Sequence, residues 1–173
     1  MAYIIGIDPG PEHSGLAVLR TVNKIDNPVV ERAESETDNE SVAIFLDTFG
    51  CGPEDVLVVE MIESQGMAVG REVFESVYWI GRFTQAWPGR VVRVTRKAVK
   101  LTMCGTRAAK ESEVRRSLLN EYGGADRAVG VKKDPGPLYG VKGHAWDAVT
   151  VAFAWWSGAE SYTHRKPIKE KKR

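Results

Sequence analysis

Cysteine and histidine are scarce in this chain of 173 residues, which holds two Cys, Cys51 and Cys104, and three His. The cysteines stand far apart, with no CxxC pairing and no histidine near either, so a disulfide framework or a structural zinc site is not expected. Long apolar runs are also missing. No stretch approaches the roughly 18 residues needed to cross a bilayer. The opening "MAYIIGIDPG" lacks the basic region and small-residue cleavage site of a signal peptide. A cytoplasmic protein without a membrane partner is expected, with room for one domain and a sizeable core.

An excess of one charge is absent overall, the net charge being +1, but the signs are segregated along the chain. Residues 1–89 carry 5 Lys and Arg against 15 Asp and Glu, and residues 90–142 carry 13 against 5. Residues 143–173 carry 6 against 3. An acidic front followed by a basic remainder suggests two kinds of work, and clustered Lys and Arg are the usual footprint of a polyanionic partner.

Hydropathy patterning gives the order of elements. "YIIGID" (3–8) and "LAVLR" (16–20), joined by the turn-forming "PGPEHSG", read as a hairpin, and "PVVERAES" reads as a third strand. "DNESVAIFLDTFG" has a capping Asp, helical spacing at Val42, Phe45, Leu46 and Phe49, and a Gly stop. "DVLVVEM" (55–61) is the continuous apolar run of a strand buried on both faces. A long helix follows over 69–87, then the strand "RVVRVT" (90–95), and two helices around the break "CGT". The basic loop "VKKDPGPLYGVKG" leads to a closing helix near His144. Strands that first meander and then alternate with helices predict an α/β domain with a mixed sheet.

Four side chains carry the candidate chemistry. Asp8 ends the first strand and Glu60 ends the strand after the first helix; parallel neighbours would bring both to the rim where functional crevices of α/β sheets lie. His144 and Asp147, three residues apart, share one face of the closing helix. Three have an ordinary alternative: a turn former for Asp8, a first-turn acid for Asp147, a cap or surface residue for His144. Glu60 is harder to dismiss, because a carboxylate straight after "VLVV" is costly to bury unpaired. Together they would gather like charges at a cost that a cation relieves. Oxygen donors favour Mg²⁺ or Mn²⁺, and ions about 4 Å apart are the usual device for attack on a phosphodiester. Glu63 is the rival to Glu60, three residues further on.

These residues, with the motifs around them, resemble the RuvC-type Holliday junction resolvases of the RNase H-like superfamily, and phage members in particular. The likeness runs from Tyr3 to about Trp156 through "IIGIDPGPEHSGLAVL", "VLVVEM", "TRKAVKLTMCGTRAAKESEVRRSLL" and "GHAWDAVTVAFA". The resemblance implies an α/β, RNase H-like fold, a five-stranded mixed sheet with its first three strands antiparallel, flanked by helices, over residues 1–158. A basic tail, 159–173, is expected to be disordered. It further implies a Mg²⁺-dependent endodeoxyribonuclease, generally a homodimer, that nicks four-way junctions and possible flaps or forks to leave 5′-phosphate and 3′-hydroxyl ends.

On that reading Asp8 bridges two Mg²⁺ ions per site, with Mn²⁺ able to substitute. Glu60 and Asp147 complete their shells, and His144 ligates one ion or positions water. Arg96, Lys97, Lys100, Arg107, Lys110, Arg115 and Arg116 hold DNA phosphates, Lys100 and Lys110 foremost. Two departures stand out. His144 occupies a position where many members carry aspartate, and "MIESQ" (61–65) lacks the aromatic that stacks on a junction base. The nearest aromatic, Phe74, lies inside the predicted helix and reads as core, or with Tyr78 and Trp79 as a dimer face. The alternatives are a non-catalytic branched-DNA-binding protein, a nuclease of RNA or hybrids on the same fold, and an actin-like ATPase, for which the chain is short.

Overall fold

The structure, a computed structural model, describes residues 1–23, 25–63, 66 and 68–162. The chain forms β1 (Ala2–Asp8), β2 (His13–Thr21), β3 (Val29–Asp38), α1 (Asn39–Thr48), β4 (Val56–Met61), α2 (Arg71–Ala86) and β5 (Arg90–Thr95). It continues through α3 (Arg96–Cys104), α4 (Glu111–Glu121), α5 (Ala125–Val129), the two-residue strands β6 (Gly130–Val131) and β7 (Asp134–Pro135), and α6 (Ala145–Trp156). Five strands make one sheet in the order β3-β2-β1-β4-β5. The meander β1–β3 is antiparallel, and β4 and β5 run parallel to β1.

Strand alternation divides the core in two. Ile5, Ile7, Leu57 and Val59 face α1 and α2, where they meet Val42, Leu46, Ile80 and Phe83. Ile4, Val56, Val58, Val92 and Val94 face the other way, onto α3, α4 and α6 through Val99, Val114, Leu118 and Phe153. The central β4 therefore needs apolar side chains on both faces, which is why its sequence reads as an unbroken run. α6 is apolar almost all round because sheet and helices enclose it.

Local signals explain the ends of the helices. Asp38 caps α1 by accepting from the Ser41 N–H, Thr95 caps α3 by accepting from Ala98, and Gly105 closes α3 in the left-handed region at φ 71°.

Phe74 corrects the reading of that residue as core: it is 65% exposed, while Ser76, Ile80 and Phe83 supply the inward face of α2. Helical phase is the reason, since position 74 lies on the opposite side from 80 and 83. The sequence pattern also passed over α5, which is only one turn long. Residues 159–162, grouped in sequence with the tail, run beside β5: Ala159 is buried, and the Tyr162 N–H donates to the Arg93 carbonyl at 2.6 Å. The remainder of the expected tail, 163–173, lies outside the described residues. Among the described residues no helix is long and apolar enough to cross a membrane.

Candidate metal centre

Asp8 and Glu60 reach the same rim because of register. Ile7 pairs with Val59 across the parallel β1–β4 ladder, so the next residue on each strand stands abreast at its carboxyl end. Alternation then selects the face. Ile4 and Val58 belong to the α6 layer, and Asp8 and Glu60 share their parity. Val92 and Val94 of β5 lie in that layer too, and the same parity carries on to Arg96 at the start of α3.

Two glycines let α6 come close enough to add its own side chains. A Cβ on Gly6 would stand 2.1 Å from the Ala148 carbonyl oxygen, and one on Gly15 would stand 2.3 Å from that of His144. Both positions exclude any larger residue unless the helix retreats. Just before α6, Gly143 adopts φ 51°, and the His144 N–H donates to Ser35 Oγ at 3.0 Å. On the other side of Asp8, the loop 9–12 is fastened by buried Ser14 and Asn39. The Ser14 hydroxyl donates to Asn39 Oδ1 at 2.6 Å, and the Asn39 amide donates to the Gly10 carbonyl at 3.0 Å.

The result is a compact cluster. His144 Nδ1 lies 2.8 Å from Asp8 Oδ2, and one ligand atom each from Asp8, His144 and Asp147 fall within 4.8 Å of one another. Two hard carboxylate oxygens and an imidazole nitrogen at that spacing fit one divalent ion such as Mg²⁺ or Mn²⁺. Glu60 is linked to the cluster through Arg96. That guanidinium donates to Glu60 Oε2 at 3.3 Å and to Asp147 Oδ1 at 2.7 Å, and it also pairs with Glu111. Burial raises the Asp8 carboxyl above its ordinary range, with the charge of Asp147 adding to the rise and the His144 hydrogen bond opposing it. Burial likewise pushes Glu60 up to about 7, against the pull of Arg96 and with Asp8 and Asp147 contributing to the rise. Burial first, and mutual repulsion second, make these carboxyls costly to ionise, a cost that a bound cation would relieve.

The remaining candidates scatter around this rim. Glu63 lies beyond the end of β4 and pairs with Lys97 at 3.7 Å. Lys100 is 2.8 Å from Glu111. Arg107, Lys110 and Arg116 are exposed, and the Lys110 N–H donates to Glu113 at the start of α4. The Arg115 guanidinium stacks over Trp146, 4.1 Å from the ring centre. Arg96, expected on a phosphate-binding surface, stands among the carboxylates instead. The sequence reading did not name Glu111 or Ser35 or the Ser14–Asn39 clasp. Glu111 and Ser35 sit in exposed or edge segments whose polarity carries no distinguishing pattern. The phase of β5 does point to Arg96.

No family model matches the sequence, and no curated protein does. Among solved structures, the Thermus thermophilus RuvC structure aligns with a TM-score of 0.61 and 20% identity over 88% of this chain and 92% of that one. T. thermophilus RuvC in complex with Holliday junction substrate aligns with a TM-score of 0.58 and 19% identity over 88% and 91%. The chain therefore has the RNase H-like fold of RuvC, a five-stranded mixed sheet flanked by helices.

Proposed function

We propose that this chain is a divalent-metal-dependent endodeoxyribonuclease that cuts four-way DNA junctions and related branches such as flaps and forks. The observation that carries the reading is the convergence of Asp8, His144 and Asp147 within 4.8 Å, on a fold whose relative was solved with a Holliday junction. Asp8, Glu60, His144 and Asp147 would hold two Mg²⁺ ions, for which Mn²⁺ substitutes. Bound ions supply a nucleophile at neutral pH and stabilise charge on the leaving oxygen. Hydrolysis joins a water oxygen to phosphorus and breaks the bond to the 3′-oxygen. The products are a 5′-phosphate and a 3′-hydroxyl.

The protein's own groups orient and hold. His144 fixes the Asp8 carboxylate by their 2.8 Å contact. Lys97, Lys100, Arg107, Lys110, Arg115 and Arg116, on and between α3 and α4, take the DNA backbone, which makes affinity fall with salt as counterions are released. A homodimer completes the reading, because cutting two strands of a junction needs two sites. The outer face of α2, with Phe74 65%, Val77 42% and Tyr78 58% exposed, is the seam we assign to it.

The test is incubation with labelled four-way junctions, flaps, forks, linear duplex, hybrid and RNA, in Mg²⁺ and in EDTA. Paired nicks in branched DNA that require Mg²⁺ are expected. Binding without nicks would favour a DNA-architecture protein, and preferential cutting of hybrid or RNA would reassign the substrate.

A further inference from the structure

Arg96 occupies ground that a nuclease site needs for metal. Its side chain is three-quarters buried, and its guanidinium spans Glu60 and Asp147 while also reaching Glu111. As the first residue of α3 it sits at the positive end of a helix, where a cation is disfavoured. The surrounding carboxylates offset that cost. Charge counting points the same way: Asp8, Glu60 and Asp147 bring three negative charges when ionised, Arg96 cancels one, and what is left matches a single divalent ion. Glu60 correspondingly falls outside the group of three whose ligand atoms lie together.

We propose that Arg96 is a resident counter-cation of this site. The DNA-free protein then binds one divalent ion, at Asp8, His144 and Asp147, and its Glu60 side accepts a second only when Arg96 turns outward to Glu111. The inference rests on the reading of this cluster as a metal centre and adds an order of loading to it. Arginine does not lose its proton in proteins, so its charge leaves the site only by movement of the side chain. Glu111 gives that movement a destination: it is 59% exposed, already touches the guanidinium, and is held by Lys100 at 2.8 Å. A phosphate arriving at the rim would attract the same guanidinium outward, since its planar fork matches phosphate as well as carboxylate. DNA binding and uptake of the second ion would thereby be coupled, and the free protein would be kept from loading fully.

The experiment is titration of the DNA-free protein with Mn²⁺, with free ion counted by electron paramagnetic resonance, for the wild type, Arg96→Gln and Glu111→Gln. The wild type is expected to bind one ion per chain ahead of any second. Arg96→Gln should bind two, the second at least about tenfold tighter than in the wild type, because one positive charge a few ångströms away has gone. Glu111→Gln, at an exposed position, should weaken the second ion several-fold and leave the first unchanged. A wild type that binds two equal ions overturns the proposal, as does a second ion indifferent to both substitutions. Failure of all three proteins to bind Mn²⁺ would overturn the metal-centre reading as well. Binding that ignores Arg96 would overturn the order of loading alone. Melting in EDTA gives an independent reading: Arg96→Gln should melt below the wild type, and Mn²⁺ should close the gap. A gap that Mn²⁺ leaves unchanged counts against the proposal.

Discussion

His144 Nδ1 stands 2.8 Å from Asp8 Oδ2 although 136 positions separate the two residues. The contact exists because the last helix is pressed onto the first strand at glycine, and it joins an imidazole to a carboxyl that burial has made reluctant to ionise. Asp8 is thus at once the end of a strand, a partner of α6 and the centre of the acidic rim.

Replacing Asp8 with Asn should abolish cleavage and spare junction binding. Loss of groups that only orient metal ligands typically costs 10–100-fold, so loss of a ligand should exceed about 100-fold. Cleavage at the wild-type rate, with binding followed in parallel by gel shift, would remove Asp8 from the site.

Lys110 offers a complementary case. Lys110 is exposed and outside the carboxylate cluster, so Lys110→Ala should weaken junction binding and make the plot of log affinity against log salt shallower by about 1. An unchanged slope would take Lys110 out of the interface.

Glu60 should make stability depend on pH. Its carboxyl is pushed from an ordinary 4.5 to about 7 by burial, with Asp8 and Asp147 adding to the rise and Arg96 opposing it. A folded-state pKa above the unfolded value means that the folded chain holds the proton more firmly. The contribution is whole below about 4.5 and fades as pH rises through about 7. In EDTA the wild type should lose on the order of 2–3 kcal/mol from this group across that window, and Glu60→Gln should not. Urea unfolding at pH 5 and pH 8 decides it; identical pH dependence in the two proteins would contradict the assignment.

Gly6→Ala should cost about 1–3 kcal/mol, because the new methyl meets the Ala148 carbonyl at 2.1 Å and α6 has to move. Activity should fall further than stability, since the same movement draws Asp147 and His144 from Asp8. Urea denaturation beside a junction assay separates the two effects. An unperturbed protein would mean that the packing is slack.

On the proposed dimer, light scattering should give the wild type twice the 19.1 kDa of one chain, and Phe74→Glu combined with Tyr78→Glu should reduce it to a single chain. Retention of the dimer would direct attention to another face.

Much of the framework was legible because it depends on periodicity. "VLVV" reads as a strand buried on both faces, and the capping Asp38 and the break at Gly105 marked helix ends through chemistry local to a few residues. The rim positions of Asp8 and Glu60 were legible for the same reason, Asp8 being the last residue of an apolar strand and Glu60 the last but one. What escaped depends on phase or on distant partners. Phe74 looks like core in a string of letters and is placed outside by the rotation of α2, which Ile80 and Phe83 set. Arg96 belongs to a basic run, yet the alternation of β5 turns it inward towards Glu60 and Asp147. Glu111 has no local signature at all, since its meaning comes from Arg96 and Lys100 across a turn.

The seating of Ala148 against Gly6 also bears on when the candidate metal centre is completed. During synthesis the sheet strands emerge first, and domains fold progressively as chain becomes available. Without α6 the nascent polypeptide has Asp8 and Glu60 but neither His144 nor Asp147, so the candidate metal centre is incomplete although the basic segment over 96–116 is already present. The cluster of Asp8, His144 and Asp147 is therefore assembled last, as the closing helix docks.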